Sequence, residues 1–151
     1  MIRLSTALRN SLAVSYGIYP HMQGGVIYVF GGTAPLSPDL AANPNEALGT
    51  ITTEGRPFID TTDPNDGGLK LLFTSPGILV NDGRWVLTGM GEGEARWFRW
   101  CHKTYDSHGD SLLFPRVDGS VGDVLKLAQP IIADGKTYTI DSFTLQIPMG
   151  S

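Results

Sequence analysis

Four potential metal ligands lie within nine residues of the chain: His102, Asp106, His108 and Asp110. Imidazole and carboxylate groups together suit several divalent metals. The same segment has the composition of a solvated polar turn, and we interpret it as one. The single cysteine, Cys101, excludes an intramolecular disulfide and any cysteine-based zinc site. The sequence therefore predicts no metal and no cofactor.

Two further patterns are compared with catalytic and nucleotide-binding motifs. Glu92 and Glu94 would share one face of a strand, a spacing compatible with paired acid/base carboxylates, but charged strand entries have the same spacing. The run Gly89-x-Gly91-x-Gly93 does not match G-x-G-x-x-G, and no helix is predicted after it to hold a phosphate. It is better explained as a tightly turned β connection. We predict no catalytic residues and no enzyme activity.

The segment of residues 95–101 is the most aromatic strand of the chain. Successive side chains of a strand point to opposite faces. Trp97 and Trp100 therefore lie on opposite faces, as do Arg96 and Arg99. One tryptophan and one arginine should be exposed or lie at an edge, where both residue types favour protein contacts. Core packing, with the arginine stems along the apolar surface, is the favoured interpretation of this strand, and a protein-contact site or a carbohydrate platform is the alternative.

Composition favours a β-rich domain with many turns. The chain has 151 residues, with 19 glycines, 10 prolines and only 17% charged residues. A net charge of −4 without any Lys/Arg-rich stretch opposes nucleic-acid binding. No apolar stretch is long enough for a signal peptide or a membrane span, so no membrane partner is expected.

The N-terminal segment, residues 1–17, is predicted to contain a short helix. Leu4, Leu8 and Leu12 form an i, i+4, i+8 stripe, Ser5 is a suitable N-cap, and Gly17 a suitable end. A stripe this narrow must dock, either on the same domain or on a neighbouring chain.

The rest of the chain is predicted to form eight to ten strands. The strand segments are residues 25–31, 48–53, 69–74, 78–80, 84–88, 94–101, 112–117, 123–128 and 136–147. Asp82-Gly83 is the best hairpin signal, joining residues 78–80 to 84–88. The long polar loop of residues 33–46 is a candidate functional segment.

The last strand changes the parity of its apolar residues. They are even at Tyr138 and Ile140 but odd at Phe143 and Leu145, which predicts a β-bulge near residues 141–142. A bulged strand can pass from one sheet to another. We therefore predict one mostly β domain over residues 1–151, a jelly-roll-like two-sheet sandwich with a short N-terminal helix.

Several segments, in the same order along nearly the whole chain, resemble a family of tailed-phage virion proteins. The matching blocks are residues 1–10 (MIRLSTALRN), 25–28 (GVIY), 34–35 (AP), 48–52 (LGTIT), 93–99 (GEARWFR), 116–122 (RVDGSVG) and 140–148. The chain departs from the family at Arg96, where a small residue often precedes the aromatic pair, and in residues 105–113.

The resemblance implies a structural protein of the phage particle. Its most specific form is a capsid decoration, or cement, protein that binds the outside of the assembled head and stabilises it. Such a protein would be made in the host cytoplasm, contact the major capsid protein or other virion proteins, and form a homo-dimer or trimer. A tail or baseplate component and a carbohydrate-binding attachment module stay open as alternatives.

The candidate contact residues come from the N-terminal segment, the loop of residues 33–46 and the aromatic strand. They are Leu4, Leu8, Leu12, Pro35, Leu36, Arg96, Trp97, Arg99 and Trp100.

Overall fold

The computed structural model describes residues 2–14, 17–59, 67–75 and 77–146. Within these ranges, every pairing between strands is antiparallel. The strands are β1 (Ile2–Leu4), β2 (Val26–Phe30), β3 (Ala47–Thr53), β4 (Leu71–Ser75), β5 (Ile78–Asn81), β6 (Trp85–Gly89), β7 (Gly93–Glu94), β8 (Trp97–Cys101), β9 (Arg116–Ser120), β10 (Leu125–Leu127), β11 (Ile131–Ile132) and β12 (Thr137–Gln146). The helices are α1 (Thr6–Val14), α2 (Ile18–Met22) and a 3-10 turn (Pro44–Glu46).

Most strands belong to one sheet that curls into a half-barrel. Its order is β1-β9-β8-β2-β3-β6-β12-β5-β4, β10 also pairs with β12, and β11 and β7 form a small second sheet. The prediction of a mostly β chain with a short N-terminal helix is confirmed. The described strands do not clearly divide into the two facing sheets of a sandwich.

The bulge predicted in the last strand is confirmed in β12. Leu127 pairs with Ile140 and Lys126 with Ser142, so that Asp141 is the extra residue. Before the bulge β12 pairs with β6, and after it with β5. The extra residue keeps Phe143 and Leu145 on the core side of the strand.

The hairpin predicted at Asp82-Gly83 is wrong. β5 pairs with β4 and β12, whereas β6 pairs with β3 and β12. Gly83 does adopt a positive φ of 82°, as in a turn. The two strands separate because β12 provides a partner for each, on either side of its bulge.

The strand predicted over residues 112–117 is also displaced. Residues 112–114 form bends, and β9 begins at Arg116 and continues through Asp118 and Gly119, beyond the predicted end of the strand at residue 117. Asp118 belongs to the strand because Arg99, its register partner on β8, neutralises it. Gly119 fits because a Cβ there would lie 2.6 Å from the Phe98 ring.

The N-terminal segment packs on its own domain. Residues 2–4 form β1 against β9, so Leu4 lies on a strand and not on the predicted helix. The Ser5 cap is confirmed, since its Oγ accepts a hydrogen bond of 3.3 Å from the Leu8 N–H. Leu8 is fully buried and Leu12 packs against the core. The described chain contains no helix with the length and apolarity needed to cross a membrane.

Candidate protein-contact surface

Two loops lie side by side and together form the candidate site. We call residues 33–46, between β2 and β3, loop L1, and residues 102–115, between β8 and β9, loop L2. The Ala41 N–H donates to Asp110 Oδ1 at 2.6 Å, and the Ser111 N–H donates to the Asp39 carbonyl at 2.8 Å. The first of these bonds joins residues that are 69 apart in the chain.

Arg116, the first residue of β9, donates hydrogen bonds to both loops. Its Nε and Nη2 donate to the two oxygens of Asp106 in L2, at 2.8 and 2.6 Å. Its Nη1 donates to the Pro38 carbonyl in L1 at 2.9 Å, and Nη2 also reaches the Gly109 carbonyl. Buried charges must be paired and hydrogen-bonded, and this guanidinium, with a side chain 0% exposed, meets that condition.

Arg99 on β8 repeats the arrangement one strand away. It forms a bidentate pair with Asp118 at 2.7 and 2.8 Å, and its Nη1 donates to the Leu40 carbonyl in L1 at 2.8 Å. Its guanidinium also lies 5.6 Å from the centre of the Trp97 ring. Two buried arginines on adjacent strands therefore each bind one aspartate and one carbonyl of L1.

Asp39 attaches L1 to the N-terminus of α1. Its carboxylate accepts the Thr6 N–H at 2.8 Å and the Thr6 hydroxyl at 2.5 Å. Burial favours a raised pKa for Asp39, but the two Thr6 hydrogen bonds, with the charges of Arg9 and Arg116, outweigh it and lower the pKa. Arg3 adds a bond of 2.7 Å to the Pro35 carbonyl.

Large apolar side chains project from this braced pair of loops. Leu36 is 88% exposed in L1, and Leu113 is 82% exposed in L2. Leu40, Leu112 and Tyr105 are exposed as well. We call Leu36, Leu40, Leu112 and Leu113 the leucine surface. Exposed apolar residues on a fixed backbone are a feature of protein-contact sites.

The predicted contact residues divide into exposed and buried ones. Leu36 and Arg96 are exposed and Pro35 is partly exposed, whereas Leu8, Trp97, Arg99 and Trp100 are buried, and Leu4 and Leu12 are partly buried. Arg96 forms a surface ion pair of 3.6 Å with Glu94.

The inference that one tryptophan of the aromatic strand must be exposed is wrong, because both faces of β8 are covered. Trp100 lies in the main core. Trp97 stacks on Phe30 at 4.4 Å, donates its Nε1 to the Gly31 carbonyl at 3.1 Å, and packs near Ala42 of L1. The loops supply the cover that a strand pattern does not reveal.

Several members of the site were missed from sequence. The exposed Leu112 and Leu113 were assigned to a strand, and Asp106 was considered only as a metal ligand. A usable signal was present at Arg99, the one charged residue of β8, because a charge inside a buried strand needs a partner such as Asp118.

A second cluster lies under L2. One potential ligand atom from each of Cys101, Asp106 and His108 lies within 4.8 Å of the others. They line a cavity of about 140 Å³ together with His102. Burial raises the pKa of the Cys101 thiol well above its usual value, and the partial burial of the His108 ring lowers the pKa of that residue.

Only part of the metal-ligand pattern seen in the sequence comes together in space. Asp106, His108 and His102 line that cavity, with the pKa of His102 lowered to about 4 by burial and by His21 and Lys103. Asp110 instead binds the Ala41 N–H.

The paired glutamates and the glycine run do not contribute to either of the two clusters described above. Glu92 and Glu94 are exposed. The glycine run is a tight β connection, as predicted, since a Cβ on Gly91 would lie 2.7 Å from the Ala47 carbonyl oxygen.

Comparison with known proteins gives this chain no relative: no protein-family model, no curated protein and no solved structure shows significant similarity to it.

Proposed function

We propose that this protein is a virion structural protein of a tailed phage, and that it decorates the outside of the assembled head and stabilises it. The observation that carries the proposal is the leucine surface, four exposed leucines on two loops whose backbones are held by the buried Arg99 and Arg116. The sequence resemblance supplies the class of partner, the major capsid protein or another virion protein.

The leucine surface suits an assembly role because its anchors are ordered before binding. Side chains on a fixed backbone lose less conformational freedom on association than those on a mobile loop. A protein that binds only the assembled lattice stabilises that lattice by selective binding. The N-terminal segment contributes less than expected, because Leu8 is part of the core and not a free anchor.

The proposal includes a homo-dimer or trimer, which would match the repeated symmetry of a capsid. We also propose that the fold is related to the jelly roll. In this interpretation β12 joins two parts of the curled sheet, with β6 on one side of its bulge and β5 on the other. A tail or baseplate location would use the same leucine surface. The copy number distinguishes head decoration from a tail location. If the protein decorates the head, labelling of intact particles should show hundreds of copies over the head, and if it belongs to the tail, a few copies at one vertex.

A carbohydrate-binding module is less well supported. That function required Trp97 or Trp100 as an exposed platform, and both are buried.

The direct test is binding to capsids that lack this protein. Purified wild-type protein should bind them and raise their melting temperature. The double variant Leu36→Asp/Leu113→Asp should lose about 30-fold or more in affinity, since interface anchors contribute about 2 kcal/mol or more. Ile131→Asp, at an exposed apolar position outside both loops, is the control. Equal binding by wild type and double variant would exclude the leucine surface, and unchanged capsid melting would exclude the decoration function.

A further inference from the structure

Three different donor types converge under loop L2. Cys101 is the last residue of β8, and Asp106 and His108 belong to L2. The three ligand atoms lie within 4.8 Å of one another, close to the spacing of donors around one tetrahedral ion, roughly 3.5 Å for bonds of 2.0–2.3 Å. A cavity of about 140 Å³ adjoins them, with space for an ion and a water molecule.

We propose that Cys101, Asp106 and His108 form a binding site for one divalent cation of the zinc type, with water from the cavity as the fourth ligand. This proposal departs from the sequence-based prediction, which excluded any cysteine-based zinc site because the chain has a single cysteine. A mixed sulfur, nitrogen and oxygen set is also a normal zinc environment, whereas Mg²⁺ and Ca²⁺ prefer oxygen alone.

Two of the donors are already oriented. Asp106 receives the Arg116 Nε on Oδ2, while Oδ1 accepts both Arg116 Nη2 and the His108 N–H, so Oδ2 keeps one lone pair for a cation. His108 has a positive φ of 63°, and its ring packs edge-on against Tyr28 at 4.8 Å. Partners of this kind fix ligand orientation around protein metals.

Binding exchanges one proton for the ion. The Cys101 S–H bond breaks, its proton passes to solvent, and the sulfur lone pair forms the bond to the cation without a change of oxidation state. Because Arg116 competes for the Asp106 carboxylate, we expect a dissociation constant in the micromolar range. The ion would join L2 to β8, and the site does not depend on the proposed function.

The test is titration of the purified, reduced protein with Co²⁺, which reports thiolate ligation through a sulfur-to-cobalt charge-transfer band. Wild type should bind one Co²⁺ per chain with this band, and Zn²⁺ should displace it. His108→Gln should weaken binding at least tenfold, and Cys101→Ser should abolish the band. Asp110→Asn is the control, because Asp110 belongs to the same sequence cluster but binds the Ala41 N–H.

A second readout is thermal stability. Zn²⁺ at a hundredfold excess over its dissociation constant should raise the midpoint of wild type by roughly 5–10 °C, and the midpoint of His108→Gln much less. The inference is overturned by the lack of a saturable charge-transfer band in wild type, or by a band that persists in Cys101→Ser. If Cys101→Ser does not fold, His108→Gln decides, since its side chain is at the surface. Capsid binding is measured separately, so either proposal can fail alone.

Discussion

Arg116 and Asp106 form a bidentate ion pair with both side chains buried, at 2.6 Å between Nη2 and Oδ1 and 2.8 Å between Nε and Oδ2. The pair closes L2 onto the start of β9, and the remaining Arg116 donors reach the carbonyls of Pro38 and Gly109. The aspartate pKa reflects this: burial alone would raise it, but the Arg116 hydrogen bonds and charge lower it. One guanidinium therefore binds both loops that carry the leucine surface.

Removing one partner of this pair should be strongly destabilising. Arg116→Met leaves the Asp106 carboxylate buried without its cation, and we expect a loss of about 3–5 kcal/mol in the free energy of unfolding. Urea denaturation measures it. Arg116→Met/Asp106→Leu should lose less than the sum of the single changes, with a coupling of about 2 kcal/mol.

The exposed pair Arg96–Glu94 gives the matched control for that experiment. Its atoms are 3.6 Å apart and its side chains are 63% and 53% exposed. Arg96→Met should change stability by less than about 0.5 kcal/mol. Comparable losses for the two arginine variants would show that the Arg116 pair does not brace the loops.

The sequence predicted the elements around this pair better than their arrangement. The parity change predicted the bulge in β12, and residues 25–31 were predicted as the strand that contains β2. Both features are determined by residues that are close together in the sequence. The burial of Arg99 depends on Leu40, which is 59 residues away, and no local pattern contains that contact. Of the leucine surface, only Leu36 was predicted.

The separation of β5 from β6 has a similar cause. Asp82-Gly83 is locally suited to a hairpin, but β12 provides backbone partners for both strands. The local preference for a turn stabilises the chain less than the backbone hydrogen bonds of complete strand pairing do. The same holds for Asp118 and Gly119, which are turn residues by composition and strand residues because of Arg99 and Phe98.

Asp39 should give the stability of the protein an acid-sensitive component. Its pKa is lowered in the folded state, so the unfolded chain binds its proton at a higher pH than the folded chain does. The stabilisation is complete above the ordinary pKa of 3.8 and is lost as the pH falls below it, through the folded pKa. Asp39→Asn, which lacks the charge near the N-terminus of α1, should be about 0.5–1 kcal/mol less stable at neutral pH.

We compare the stability of wild type and Asp39→Asn over pH 3 to 7. The difference reports the titration of Asp39 alone, because the other carboxylates titrate in both proteins. Thermal unfolding midpoints should converge as the pH is lowered. A difference that stays constant from neutral to acid conditions would mean that the Thr6 contact, and not the charge, stabilises the loop.

Gly119 should tolerate no side chain. A Cβ would lie 2.6 Å from the ring of Phe98, which is fully buried and packs against Phe143. Gly119→Ala should therefore cost about 1–3 kcal/mol, through displacement of β9 from β8. Gly109→Ala is a suitable control, since the nearest atom to its Cβ would be the Ser107 Oγ at 3.6 Å. Chemical denaturation of both variants measures the difference, and equal stabilities would contradict the close approach of the two strands.

Deletion of Asp141 should abolish the fold, whereas its replacement should have little effect. Without the extra residue, Phe143 and Leu145 move to the opposite face of β12, although each is only 1% exposed in the folded protein. Losing the burial of two such side chains costs about 3–6 kcal/mol, which is comparable with the whole stability of many domains. Asp141→Ala keeps the residue count at an exposed position, and its unfolding midpoint should stay close to that of wild type. Circular dichroism and thermal melting compare the two variants, and a cooperative transition at the wild-type temperature in the deletion variant would show that the bulge does not set the register of β12.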